Sequence, residues 1–282
     1  MESNLRTLGP LEASVVLSLS ARGQQTVNTA DLVAITGSGR AANNVARQLV
    51  RKGWLTRVIR GRYVLLPPEH GPENLGENNA LALAGTAVTP SYIGWWSAAA
   101  HHGFTTQVPM TVFVATRRRL LPREIEGTPV RFIPLSAAEF FGEQPYDVYG
   151  RRVLVSSPAK TLIDCLDRPA LTGGATEVAR IAERALAGMS ADEAVDVALR
   201  FRSKSVMQRL GAIAELVGRP LSAPARARLR EAIPKSARSR FGRGKPRAGD
   251  VGYVAEWGLF VDSTREALLA ELPRAKPHAD DK

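Results

Sequence analysis

The 282-residue chain is 44% hydrophobic and 23% charged, ordinary globular proportions that exclude a largely disordered polymer. Its one cysteine, Cys165, excludes a disulfide framework and any paired-cysteine metal knuckle. The net charge of +11 is segregated: residues 1–68 hold nine Lys/Arg against three acids, and residues 226–247 hold nine against one, so the remainder is slightly acidic. Two basic segments on a near-neutral body are the charge distribution of a polyanion-binding protein. There are only four histidines (His70, His101, His102 and His278), and the adjacent pair His101-His102 has no carboxylate or thiol at a useful nearby spacing, so no metal is expected. No apolar run reaches the length of a membrane span, and Met1-Glu2-Ser3-Asn4 does not open a secretory leader, so a cytoplasmic location is expected.

The chain opens with helical signals. Pro10 suits a first helical turn, and Leu11, Val15 and Leu19 recur every fourth residue until Gly23. Val27 is a strand residue, and Asn28 or Thr29 caps a second helix over Ala30–Ile35. Gly37-Ser38-Gly39 breaks the chain, Ser38 caps a third helix from about Arg40 to Lys52, and Gly53 ends it. Leu55–Ile59 and Tyr63–Leu66 then read as two strands joined by Arg60-Gly61-Arg62. This is the order of a winged helix-turn-helix.

At 100° per residue, Arg40, Asn43, Asn44, Arg47 and Arg51 share one face of the third helix, with Gln48 at its border. Ala42, Val45, Ala46 and Leu49 lie opposite. Guanidinium groups match guanine edges and amides match adenine, so this face is suited to the major groove. Arg57, Arg60 and Arg62 on the two strands would meet the backbone or the minor groove. No acid occurs between Leu32 and Pro68. Ser38 and these nine residues form the candidate duplex-DNA site. Gly37-x-Gly39-x-x-Ala42 also fits a dinucleotide-binding fingerprint, which makes an NADP-dependent oxidoreductase the alternative if Leu32–Ile35 is a strand.

Pro67-Pro68-Glu69-His70-Gly71-Pro72 is a stiff linker. Beyond it, helices are expected at Glu77–Ala84 and Ile93–His102, and strands at Thr111–Ala115, Val130–Ile133 and Val153–Ser156. Arg117-Arg118-Arg119 follows the first strand as a solvated loop. Ser157 and Pro158 start a helix on which Cys165 is a buried small hydrophobe and Lys160–Asp164 an ordinary helix ion pair. Helices over Ala175–Ala187, Ala191–Phe201 and Val206–Val217 form a small bundle, the second opened by a Ser190–Glu193 capping box. The second basic patch comprises Arg226, Arg228, Arg230, Lys235, Arg238, Arg240, Arg243, Lys245 and Arg247. It reads as a second nucleic-acid surface, and an RNA-binding module built on it is a further alternative. Gly242–Gly249 is loop, and Ser239 in place of the first glycine spoils a phosphate-loop match at Gly244-Lys245.

Several stretches in order resemble the AbiEi-type antitoxins of type IV toxin–antitoxin systems. They are Arg60-Gly61-x-Tyr63 at the end of the winged helix, Ser157–Leu166, Ser205–Gly211 with Glu215 and Gly218, and Glu256–Asp262. Ala212 replaces a usual aromatic residue and Asp262 a usual asparagine. The resemblance implies a winged-helix domain followed by an antitoxin domain, and hence a DNA-binding antitoxin that autorepresses its operon. Its partners would be double-stranded operator DNA with inverted repeats and a co-encoded nucleotidyltransferase toxin, antagonised without a need for direct contact. Gly37-Ser38 has no following pair of aspartates, so the chain is not itself a nucleotidyltransferase, and no enzyme activity or cofactor is expected. The expected fold class is therefore mixed α/β (α+β): a winged helix at 1–66, a linker at 67–72, the antitoxin domain at 73–272 and a tail at 273–282.

Overall fold

The computed structural model describes residues 7–66, 80–86, 88–148, 151–242 and 244–270. The expected linker at 67–72, the helix start at Glu77, the tail at 273–282, His70, His278 and Arg243 lie outside them. The chain divides into two compact units, Met1–Ile93 with Met110–Phe140 and Gln144–Val155, and Gly94–Pro109 with Phe141–Glu143 and Ser156–Lys282.

The first unit begins with α1 (Pro10–Ala21), β1 (Thr26–Asn28), α2 (Thr29–Thr36), α3 (Gly39–Arg51), β2 (Leu55–Ile59) and β3 (Arg62–Leu65). The strands form an antiparallel sheet in the order β1-β3-β2, which completes a winged helix. Its core is Val15, Val16 and Leu19 from α1, Leu32 from α2, Ala42, Val45, Ala46 and Leu49 from α3, and Val27, Leu55, Tyr63 and Leu65 from the sheet. Leu11 is exposed, contrary to the fourfold spacing, and Val16 takes its place inside. In the same first turn Glu12 points inward, accepting from the Gly9 amide at 2.7 Å and from Lys52 Nζ at 2.5 Å.

Local chemistry sets the breaks between these elements. Asn28, not Thr29, caps α2, exchanging side-chain and backbone hydrogen bonds with Asp31. Gly37 closes α2 at a φ of 78°, a conformation open to glycine and strained for most other residues. After α3, the amides of Gly53 and Trp54 bond back to the Val50 and Leu49 carbonyls, so the chain reverses into β2. Leu32–Ile35 is thus helical. The fingerprint glycines join two helices where a dinucleotide fold needs a strand before them, which removes the context of the oxidoreductase alternative.

The rest of this unit is a six-stranded mixed sheet. It contains β4 (Ser91–Ile93), β5 (Val112–Thr116), β6 (Arg123–Ile125), β7 (Thr128–Pro134), β8 (Glu143–Val148) and β9 (Arg151–Ser156), in the order β6-β7-β5-β4-β9-β8. β5 runs parallel to β7 and β4 parallel to β9, whereas β4–β5 and β6–β7 are antiparallel. A short helix, α4 (Ala80–Thr86), packs on β4 and β5. Ile93 belongs to β4, so the helix expected from Ile93 begins only after Gly94.

Both faces of the small winged-helix sheet are covered. Leu55, Tyr63 and Leu65 face the helices, and the alternating positions Thr56, Val64 and Leu66 are buried on the opposite face. That second face meets the larger sheet: β2 packs against β6, and Thr26 Oγ1 donates to the Thr86 carbonyl at the end of α4. The buried Arg151 on β9 donates to the Leu65 carbonyl at 2.6 Å and to Gln25 Oε1 at 3.3 Å.

The second unit is mainly helical: α5 (Trp95–His101), α6 (Pro158–Asp167), α7 (Ala175–Gly188), α8 (Ala191–Phe201), α9 (Lys204–Leu216) and α10 (Ala223–Glu231). A three-stranded sheet of β10 (Ser239–Phe241), β11 (Gly252–Val254) and β12 (Leu259–Val261) follows, and then α11 (Arg265–Leu269). Ser157 accepts from the Lys160 amide and Pro158 fills the first turn of α6. Residues 159–166 of that helix are all buried, in contact with α5, α7, α8 and α9. The Lys160–Asp164 pair is therefore an interior ion pair and not an ordinary surface one. Its ammonium lies 5.1 Å and 5.0 Å from the ring centres of Phe141 and Phe201, which replace part of its lost hydration. Cys165 is buried, and burial pushes its thiol well above the usual range, so it packs as a hydrophobe. Gly211 of α9 lies against Trp257 in this core, and any Cβ there would overlap the Trp257 ring.

Candidate nucleic-acid interface

Three features of the sequence build the interface around α3. Ser38 accepts from the Ala41 amide at 3.2 Å and fixes where the helix begins. Ala42, Val45, Ala46 and Leu49 are at most 4% exposed and lock one side of α3 onto α1 and α2. The period of 3.6 then leaves Arg40, Asn43, Asn44, Arg47 and Arg51 exposed on the other side. Gln48 is half-buried at the border, and its Oε1 has no hydrogen-bond partner among the described residues.

The strand pair supplies further cations beside this helix. Arg57 on β2 and Arg60 at the turn are exposed, and Arg62 at the start of β3 is half-buried. Ile59 pairs with Arg62, so the loop between them is the two residues Arg60-Gly61, with Arg62 already in the strand. The Gly61 carbonyl accepts from the Thr29 amide at 3.0 Å, which ties the turn to the start of α2.

Electrostatics divide the cations of α3 into two groups. Lys52 at the helix end is neutralised by Glu12 from α1. Burial alone would raise the Glu12 pKa, but the hydrogen bonds from Lys52 and the Gly9 amide, with the nearby charges of Lys52 and Arg51, hold it below the usual value. Arg40, Arg47, Arg57, Arg60 and Arg62 have no carboxylate partner among the described residues, and Arg51 acts on Glu12 through its charge without forming a salt bridge. Their positive field is left for an external anion.

The second basic stretch lies in the other unit and is arranged differently. Arg226 is fixed by Glu256 at 2.6 Å and approached by Glu215 at 3.6 Å, while Arg228 meets Asp192 and Asp196. Hydrogen bonding and charge from these acids raise both arginines' pKa values, and Arg226 in turn lowers that of Glu256. Arg230 lies over the Trp257 ring at 5.7 Å. Lys235, Arg238, Arg240, Lys245 and Arg247 remain exposed. The linear count overstated the local charge because the neutralising acids are 11–36 residues away in sequence.

His102 Nε2 lies 2.7 Å from the Ser156 carbonyl, and burial lowers the pKa of both His101 and His102. Among the described residues, no group of three His, Cys, Asp or Glu is placed to hold a metal ion. No described helix is long and apolar enough to cross a membrane.

The first unit's opening segment is thus a winged helix whose third helix carries an acid-free polar face. Residues 14–66 match the family described as "Transcriptional regulator, AbiEi antitoxin", the family that the sequence motifs resemble. The match supports a regulator or antitoxin role. No curated protein matches the chain in sequence. Among solved structures, the chain is similar to "RV2827C protein from Mycobacterium tuberculosis", with a TM-score of 0.61 and 21% identity. The likeness covers 94% of this chain and 95% of that one, and it establishes a shared fold.

Proposed function

We propose that the protein is a DNA-binding antitoxin and autorepressor of a type IV toxin–antitoxin operon. In this reading α3 enters the major groove of operator DNA, where Asn43, Asn44 and Arg47 read base edges. Ser38, Arg40, Gln48 and Arg51 hold phosphates or adjacent edges, and Arg57, Arg60 and Arg62 grip the flanking backbone or minor groove. The observation that carries the reading is the polar face of α3: five exposed Arg and Asn side chains and no acid, opposite a face that is wholly buried. Inverted-repeat half-sites would suit two copies of the chain on one operator. The residues after the linker, 73–272, would antagonise a co-encoded nucleotidyltransferase toxin in the cytoplasm, with no contact between the two proteins required. Co-expression with the adjacent nucleotidyltransferase gene tests the antitoxin half of the proposal: growth is restored if it holds and remains arrested if it fails. A mobility shift on the chain's own upstream DNA tests the repressor half.

A further inference from the structure

The three-stranded sheet of the second unit has two unlike faces. Phe241, Leu259 and Val261 point inward and are fully buried in the helical core. The central strand β12 pairs parallel with β10 and antiparallel with β11, and the register sets Arg240, Phe260 and Tyr253 side by side across the outer face. Tyr253 is 42% exposed, Phe260 is half-buried, and their rings lie 4.7 Å apart at 34°. Two positions before Arg240 on the same face, Arg238 places its guanidinium 5.6 Å from the Tyr253 ring.

The surrounding charge is positive and available. Arg238 donates to the Lys235 and Ala237 carbonyls, so it is held in place without being neutralised. Its neighbour Arg240 is anchored through the backbone, where its carbonyl accepts two bonds from the Arg209 guanidinium and its own side chain stays exposed. Of the nearby acids, Glu256 is paired with Arg226. Asp262 and Asp250 accept from the Gly244 and Arg247 amides, which hold them in place and leave their charge. The four cations Arg238, Arg240, Lys245 and Arg247 outnumber them. Lys245 and Arg247 are exposed in the loop between β10 and β11.

We propose that this outer face binds a single-stranded polynucleotide, with bases stacked on Tyr253 and Phe260 and phosphates met by Arg238, Arg240 and Lys245. Aromatic rings displayed on a sheet among arginines offer stacking to any base and charge to any phosphate. Duplex DNA does not suit the face, because its bases are already stacked inside the helix. The site lies outside the winged helix and does not depend on duplex binding by α3.

The test uses the full chain and labelled oligouridine, oligothymidine and a mixed-sequence duplex, with binding followed by fluorescence anisotropy. Tyr253→Ala and Phe260→Ala should each weaken the single-strand complex by roughly five- to a hundredfold, the span of base stacking on an aromatic ring. Tyr253→Phe should retain most of it, and duplex affinity should be unchanged throughout. Tighter oligouridine binding identifies RNA as the ligand, and tighter oligothymidine binding identifies single-stranded DNA. Alanine variants that bind single strands like the parent, or that lose duplex to the same degree, overturn the proposal. Photocrosslinking of a thiouridine oligonucleotide to the unaltered protein gives a readout that needs no variant: adducts on Tyr253 or Phe260 support the site, and adducts confined elsewhere refute it.

Discussion

Cutting the chain after residue 66 should leave a winged helix that does not hold its fold. Its own core is intact on paper, but Val58, Val64 and Leu66 are at most 2% exposed in the full chain, and Thr56 and Val64 share the sheet face turned away from the helices. Each such side chain contributes about 1.5–3 kcal/mol when fully buried, so exposing three removes roughly 5–9 kcal/mol. A small domain has only about 5–15 kcal/mol of total stability. Loss of the bond from Arg151 to the Leu65 carbonyl adds to the deficit. Urea titration followed by circular dichroism should therefore show no cooperative transition for residues 1–66. A cooperative transition at the midpoint of the full chain would refute the claim that the larger sheet supports the wing.

Two other predictions concern buried charge. Asp164→Ala leaves Lys160 charged and unpartnered by its carboxylate, which should cost about 3–5 kcal/mol, whereas Lys160→Met with Asp164→Leu should be close to neutral. A double variant as unstable as the single, measured by denaturant unfolding, would contradict this view of the pair. Because the folded-state pKa of Glu12 is depressed, its stabilising contribution is present above its unfolded pKa and fades as pH falls through the folded value. Glu12→Gln should thus destabilise the protein near neutrality and converge with the parent in acid; a gap that widens toward low pH would oppose the assignment.

What could be read from the sequence was whatever is written in short-range pattern. The α3 faces follow from a 3.6-residue period, its start from Ser38, and the hairpin from Arg60-Gly61, all within a few residues of one another. The same holds for Ser157-Pro158 opening α6. Strands β6 and β8 left no such trace, since sheet-edge segments such as Arg123-Glu124-Ile125 are short, polar and half solvated. The burial of Lys160 is decided by Phe141 and Phe201, and the neutralisation of Arg226 and Arg228 by acids from other elements, so local spacing carried no sign of either. Two signals were present and unused. Tyr63-Val64-Leu65-Leu66 is apolar at every position, the mark of a strand covered on both faces, and Tyr253 and Phe260 stand beside a basic stretch.

Competition binding on the chain's own upstream DNA against a scrambled duplex measures directly whether α3 reads sequence. Asn44→Ala and Arg47→Ala should each lose about 1–3 kcal/mol of preference for the upstream sequence, with the fold unchanged because both side chains are exposed. Scrambled-duplex affinity should fall far less. If both variants keep the parent's preference and footprint, α3 does not lie in the groove and the regulator account is wrong.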